Sequence, residues 1–362
     1  MPNRLQAVAV GAAVALATLV PYLLAGWLTG PDELFSGFLL NPLDGFSYLA
    51  KMRQGAEGSW GFRLPYAPDP GPAAFFFVFY LALGHLSAWL QTELLVLFHG
   101  ARVLFAATMF FLAYLLFEHT SASHKAVQAA FALTLVGSGL GWLGLPFGAA
   151  PSDLMIPESI PFLSAYVNPH FPAATALQTL GTLLVATEIM GGRWREILCF
   201  TSGLVLMLIL PFAIVSQIAF LALWLAWEVY YLSRIGFPPL SALERIPWRP
   251  FLFLVAGAAP VMAYDLWLTR NHPVLAAWSA QNLTPSPPPH EYLLGYGFVL
   301  LFAVFQIVKR KPYQTSLGRL LLAWIVIGFL LLYVPFSLQR RFSLGLFLPL
   351  AALAGQWLAE FS

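Results

Sequence analysis

The sequence predicts an all-α polytopic membrane protein of about ten transmembrane helices. Three observations carry the prediction. Only 9% of the 362 residues are charged, against roughly 25% in soluble domains. Hydrophobic residues make up 59% of the chain and aromatic residues 15%. Apolar runs of about 17–25 residues recur along the chain, the length that crosses a bilayer core of roughly 30 Å. The single cysteine, Cys199, lies inside one such run, so no intrachain disulfide can form. A net charge of +2 offers nothing to nucleic acid.

The first apolar run, 5–28, follows Arg4. Its position suits a signal peptide, but it is long for a signal core and no small-residue cleavage pattern precedes Asp32, so a retained helix is expected. Further runs lie near 73–91, 95–117, 126–146, 172–190, 196–212, 213–232, 251–268, 292–308, 318–336 and 343–360. The stretch 196–232 is too long for one crossing, and Pro211 divides it into two helices. The glycines of Gly137-Ser-Gly-Leu-Gly141 fall within the run 126–146 and read as a site of close helix packing. Three connecting segments, 29–72, 147–171 and 269–291, are rich in proline, aromatic residues and isolated charges.

Orientation follows from lysine and arginine. With a cytoplasmic N-terminus and a non-crossing 73–91, the cytoplasmic side collects Arg4, Lys125, Arg193, Arg195, Arg234, Arg245, Arg249, Arg319 and the basic run 309–311. If 73–91 crossed, that basic run would face outward. The segment is therefore expected in the interface or as a re-entrant stretch, consistent with Pro65, Pro68, Pro70 and Pro72 ahead of it. The chain then forms a single transmembrane domain over 1–362. Its first outer loop runs 29–94 and carries interfacial helices, and 147–171 and 269–291 form the second and third outer loops. No internal repeat of the inverted-transporter kind is evident.

Within the first outer loop, Asn41-Pro-Leu-Asp-Gly-Phe-Ser-Tyr-Leu-Ala-Lys-Met-Arg53 concentrates an acid, a tyrosine and two cations in a chain otherwise poor in them. Polar groups are costly beside lipid, so such a cluster is a candidate site. As a helix over 42–55 begun by Pro42, it places Asp44, Tyr48 and Lys51 on one face and turns Arg53 away. Asp44 is the candidate catalytic base, able to take a proton from an acceptor hydroxyl. The plainer role for it is a first-turn acid on the helix dipole. The second outer loop holds Asp153, Glu158 and His170, of which Glu158 and His170 are candidate substrate-binding residues beside Tyr48 and Lys51. His99 and Arg102, at i and i+3 of the run 95–117, suit either a lipid phosphate or snorkelling to headgroups. Arg340 and Arg341 stand on the outer side against the positive-inside bias. Their fork-shaped donors suit phosphate oxygens, or anionic headgroups. Asn282-Leu-Thr284 matches a glycosylation acceptor. No zinc-ligand spacing, His-Glu-x-x-His, Walker A or dinucleotide glycine pattern is present.

In this order of elements the chain resembles the GT-C superfamily of integral-membrane glycosyltransferases. Oligosaccharyltransferase catalytic subunits and protein O-mannosyltransferases are similar in layout. The resemblance rests on one helix followed by an outer loop that opens with Asp44-Gly-Phe-Ser-Tyr48 and continues Arg63-Leu-Pro-Tyr-Ala-Pro-Asp-Pro-Gly-Pro72. The interfacial stretch and a second acid-bearing outer loop follow. It covers about residues 1–190 and is looser beyond. It implies a sugar transfer from a polyprenyl-phosphate donor at the outer face of a prokaryotic inner membrane. Asp44 matches the first-loop acid, Asp153 or Glu158 the second, and Arg340 or Arg341 would hold the donor phosphate. In that family the first-loop acid serves as base or metal ligand, but no Asp-x-Asp pair occurs at Asp44 or in the second loop, which puts a divalent metal in doubt, and no other cofactor is expected. No large soluble C-terminal domain follows, so a lipid, glycan or small acceptor is expected rather than a protein sequon. The competing classes are a transporter or flippase of a lipid-linked glycan, which calls for a polar path across the helices, and a non-catalytic membrane scaffold.

Overall fold

In the computed structural model, which describes residues 4–361, the regular structure is all helical, with no named strand among the described residues. One isolated antiparallel bridge joins Phe62 to Ala74. The helices are α1 (Arg4–Ala17), α2 (Val20–Leu28), α3 (Pro42–Ala56), α4 (Val78–Leu90), α5 (Leu94–Thr120), α6 (His124–Val136), α7 (Ser152–Met155) and α8 (Pro161–Val167). They continue with α9 (His170–Ala186), α10 (Gly192–Ile209), α11 (Pro211–Arg234), α12 (Pro239–Arg245) and α13 (Trp248–Asn271). The last are α14 (Pro273–Gln281), α15 (Pro289–Arg310), α16 (Ser316–Leu331) and α17 (Phe347–Leu358).

Six segments are long and apolar enough to cross a membrane: Arg4–Leu28, α5, α11, α13, α15 and Gln339–Leu358. The chain is thus a multi-pass helical membrane protein. A seventh segment is α6 together with the short turns of Gly141–Phe147, a pair bent by 45°. Three further helices in the expected positions, α9, α10 and α16, do not reach those limits of length and apolarity. α4 has 13 residues, about 20 Å at 1.5 Å per residue, which is short of a crossing. Pro211 separates α10 from α11 as its missing N–H dictates, standing at the first position of the new helix.

The core is one apolar cluster running from α5 through α6, α9, α11, α16 and α17, closed by side chains such as Phe110, Phe171, Trp224, Trp324 and Phe347. Trp324 and Phe220 stack at 4.4 Å within it. A satellite cluster of Phe38, Met52, Tyr80, Leu83 and Phe98 joins α3 and α4 to α5. α3 and α4 meet through glycines. A side chain at Gly55 would strike the Leu81 carbonyl, and one at Gly84 the Met52 carbonyl.

One expectation is corrected. The glycines at 137–141 do not lie inside a membrane helix. α6 ends at Val136, and Gly137 is its C-cap in extended conformation. The following backbone docks into a kink of α15, where Gly297 adopts φ 44, ψ −125. The kink leaves the Leu294 carbonyl to accept from Leu140 N–H at 2.7 Å. Gly139 lies against the backbone of Leu294 and Gly295 with no room for a Cβ. Close packing is indeed the reason for glycine here, but it joins a loop to a broken helix.

Candidate functional site

α3 starts abruptly. Asn41 takes the left-handed conformation (φ 48, ψ 55) and Pro42 opens the helix. Asp44 falls in the first turn, where unpaired N–H groups and the helix dipole favour a carboxylate. It is exposed. One turn on, the half-buried Tyr48 lies flat on Tyr80 of α4, centroids 4.5 Å apart and planes 8° from parallel. The Tyr80 hydroxyl shares a hydrogen bond of 2.7 Å with His170 Nδ1. The His170 ring meets Tyr48 edgewise at 5.2 Å.

Lys51 is buried on the same face. Its Nζ donates to Ser47 Oγ at 2.8 Å and stands 4.3 Å above the Phe77 ring and 4.9 Å from that of Tyr48. Cation–π contact replaces part of the lost hydration. Burial still pulls its pKa down to about 8, against the opposing pull of Asp44. Burial raises the Tyr48 phenol above its ordinary range, and Arg341 offsets a part of that rise.

The segment between α7 and α9 delivers Glu158 and His170 to the same place. Ser159 Oγ donates to the Ser152 and Ile156 carbonyls and Ser164 Oγ to the Pro157 carbonyl, holding the turn that carries Glu158. Glu158 is buried, with Oε1 accepting from Arg341 Nη1 at 2.6 Å and Oε2 unpartnered. The Arg341 guanidinium also lies 5.7 Å from the Phe171 ring. Asp44 is close enough to exert a field on Tyr48, Lys51, Tyr80 and Arg341. Six residues singled out in the sequence therefore converge: Asp44, Tyr48, Lys51, Glu158, His170 and Arg341.

The other three have different surroundings. Arg340 sends its backbone N–H to the Thr284 carbonyl, and its Nε is buried without a partner. Of the two arginines, Arg341 is the one that pairs with Glu158. Arg102 is wholly buried rather than snorkelling to a surface. Its Nη1 donates to Thr18 Oγ1 (2.8 Å) and the Ala165 carbonyl (2.6 Å), its Nε to His99 Nδ1 (3.2 Å), and it lies over the Tyr22 ring. His99 shares a bond of 3.0 Å with the Gly37 carbonyl. This pair clamps α5 to the α1–α2 junction and to α8. Asp153, weighed beside Glu158 as the second-loop acid, accepts from Ser138 Oγ and from the Gly139 and Gly141 amides. It braces the loop, which leaves Glu158 facing the site.

Tyr80, Phe77, Phe171 and Ser47 complete the site and were not among the residues the sequence singled out. The aromatic run 75–80 was the available signal. Phe77 carries a further mark, a left-handed φ of 53 at the N-cap of α4, a conformation rare for a bulky residue. The donors for a divalent ion are not gathered: among the described residues no three His, Cys, Asp or Glu side chains converge. Glu158 is engaged by Arg341 and Asp153 by the loop.

Fold and site together define a multi-pass helical membrane protein with a mixed acid, aromatic and cationic cluster built from α3, α4, the start of α9 and the segment before α17. The chain matches no known family model, and no characterised protein or solved structure matches it.

Proposed function

We propose that the chain is a membrane glycosyltransferase that moves a sugar from a polyprenyl-phosphate donor to a lipid, glycan or small acceptor at the outer face of a prokaryotic inner membrane. The observation that supports this reading best is the exposed Asp44 carboxylate beside two cations, Lys51 and Arg341, and the tyrosine–histidine stack. In this reading Asp44 takes the proton of the acceptor hydroxyl. The acceptor oxygen then bonds to the anomeric carbon as the carbon–oxygen bond to phosphate breaks. The electron pair leaves on the phosphate oxygen, and the anomeric centre inverts. Arg341 places one donor on Glu158 and keeps others for that developing charge. Lys51 adds a second positive charge, and Tyr48 and His170 form the wall that orients the sugar.

In the same reading α6 with its bent continuation and α9, α10 and α16 also cross, bringing the spans to about ten. α3 and α4 lie in a first outer loop, and the N-terminus is cytoplasmic. The flippase alternative calls for a titratable relay through the helices. The buried cluster at mid-bundle is instead made of amides and hydroxyls, Gln178, Gln217, Thr182 and Ser216. The test is Asp44→Asn in the purified, folded protein with a polyprenyl-phosphate sugar. Removing a general base should lower turnover by about 10²–10⁴-fold, and near-normal transfer would overturn the assignment.

A further inference from the structure

A second site lies away from the first, where the broken end of α6 meets the start of α15. A cavity of about 430 Å³ there is lined by Leu143, Phe147, Ala149, His290, Glu291 and Leu294, with glycines at 144 and 148. Glu291 is buried at 8% exposure. Its Oε1 accepts the Ala150 N–H at 3.2 Å, while Oε2 has no partner. No lysine or arginine among the described residues forms an ion pair with it. A buried carboxylate oxygen left without a donor is expensive, which marks it as a place for a ligand that brings one.

The mouth of the cavity identifies the kind of ligand. The turns at Gly141–Phe147 expose Trp142, Leu143, Leu145 and Phe147, the last at 88%. These turns continue α6 after a bend of 45°. Amphipathic rings and leucines on a short bent segment at the end of the apolar α6 suit the headgroup layer of a bilayer. The cavity thus offers acyl chains an apolar rim, with one anionic oxygen inside and a histidine, His290, at its edge.

We propose that this cavity binds a phospholipid bearing a primary ammonium headgroup. The ammonium donates to Glu291 Oε2, the phosphate faces His290, and the acyl chains lie along Trp142, Leu143 and Phe147. A quaternary ammonium has no N–H to give and leaves Oε2 unpartnered, so the site discriminates between ethanolamine and choline lipids.

The experiment is native mass spectrometry of the full chain, delipidated and titrated with phosphatidylethanolamine or phosphatidylcholine of identical acyl chains. The wild type should retain the ethanolamine lipid about tenfold or more tightly, as expected for a charge-assisted hydrogen bond. Glu291→Gln keeps an oxygen for the Ala150 amide but puts an N–H₂ where Oε2 was, and should abolish the preference. Equal retention of the two lipids by the wild type overturns the proposal whether or not the variant folds. So does an unchanged preference in a Glu291→Gln protein with wild-type unfolding temperature.

Discussion

At the residue scale, Lys51 shows how a charge is kept inside a membrane protein and what that does to it. Its ammonium is held by one hydroxyl and two ring faces, with Asp44 about two helical turns away. Because its pKa of about 8 lies below the ordinary 10.5, the unfolded chain binds a proton that the folded chain has released between those two values. Stability contributed at this position therefore rises with pH across that window and is flat below it. Thermal unfolding of wild type and Lys51→Met should show the wild type gaining on the variant between pH 8 and 10, by up to about 1.4 kcal/mol per pH unit. A difference independent of pH would mean the ammonium is not buried. Arg341 and Glu158 offer the contrasting solution, a direct pair in which each charge neutralises the other. Such a pair is a weak source of net stability but a firm constraint on position, and it brings the segment before α17 to the turn between α7 and α8.

At the element scale, glycine sets where helices and loops can touch. Gly55 and Gly84 let α3 and α4 approach until backbone meets backbone, and that approach brings Tyr48 onto Tyr80. Gly84→Leu should therefore force the two helices apart and lower the unfolding temperature. Overpacking of this kind costs about 1–3 kcal/mol or more. An unaltered melting curve would argue against the packing described. The α9–α11 contact is held differently. Gln178 donates to Ser216 Oγ at 2.9 Å, and Gln217 donates to Thr182 Oγ1 and the Gln178 carbonyl. Along the sequence these glutamines look scattered. In space they form one network, because residues four apart on α9 face the same side of α11.

At the scale of the whole molecule, the helical class and the places of the apolar segments were legible in the sequence, since each long apolar run has one stable solution in lipid. Much of the site was legible too. A helix over 42–55 put Asp44, Tyr48 and Lys51 together by periodicity alone. What was not legible depends on contacts between distant segments. Nothing local to Arg102 tells that Thr18 and Ala165 will enclose it, nor which of the adjacent Arg340 and Arg341 will pair with Glu158. The glycines at 137–141 fit a helix interface as readily as a docked loop until Leu294 is seen to offer its carbonyl. The proposed ten spans make a checkable pattern: an even number returns both termini to one side. With Cys199→Ala as background, single cysteines near residues 122, 190 and 311 should react only from the N-terminal side, and those near 68 and 283 only from the opposite one. Any exchange between these groups would require a different path. The Arg102 clamp, finally, imposes an order on assembly. α5 leaves the ribosome some 60 residues before the Ala165 carbonyl that Arg102 needs. Until α8 emerges, a guanidinium in that helix faces lipid or the translocation channel, at about 2.5–3.5 kcal/mol. The nascent chain therefore has reason to keep α1, α2 and α5 together and unreleased until α8 has been made.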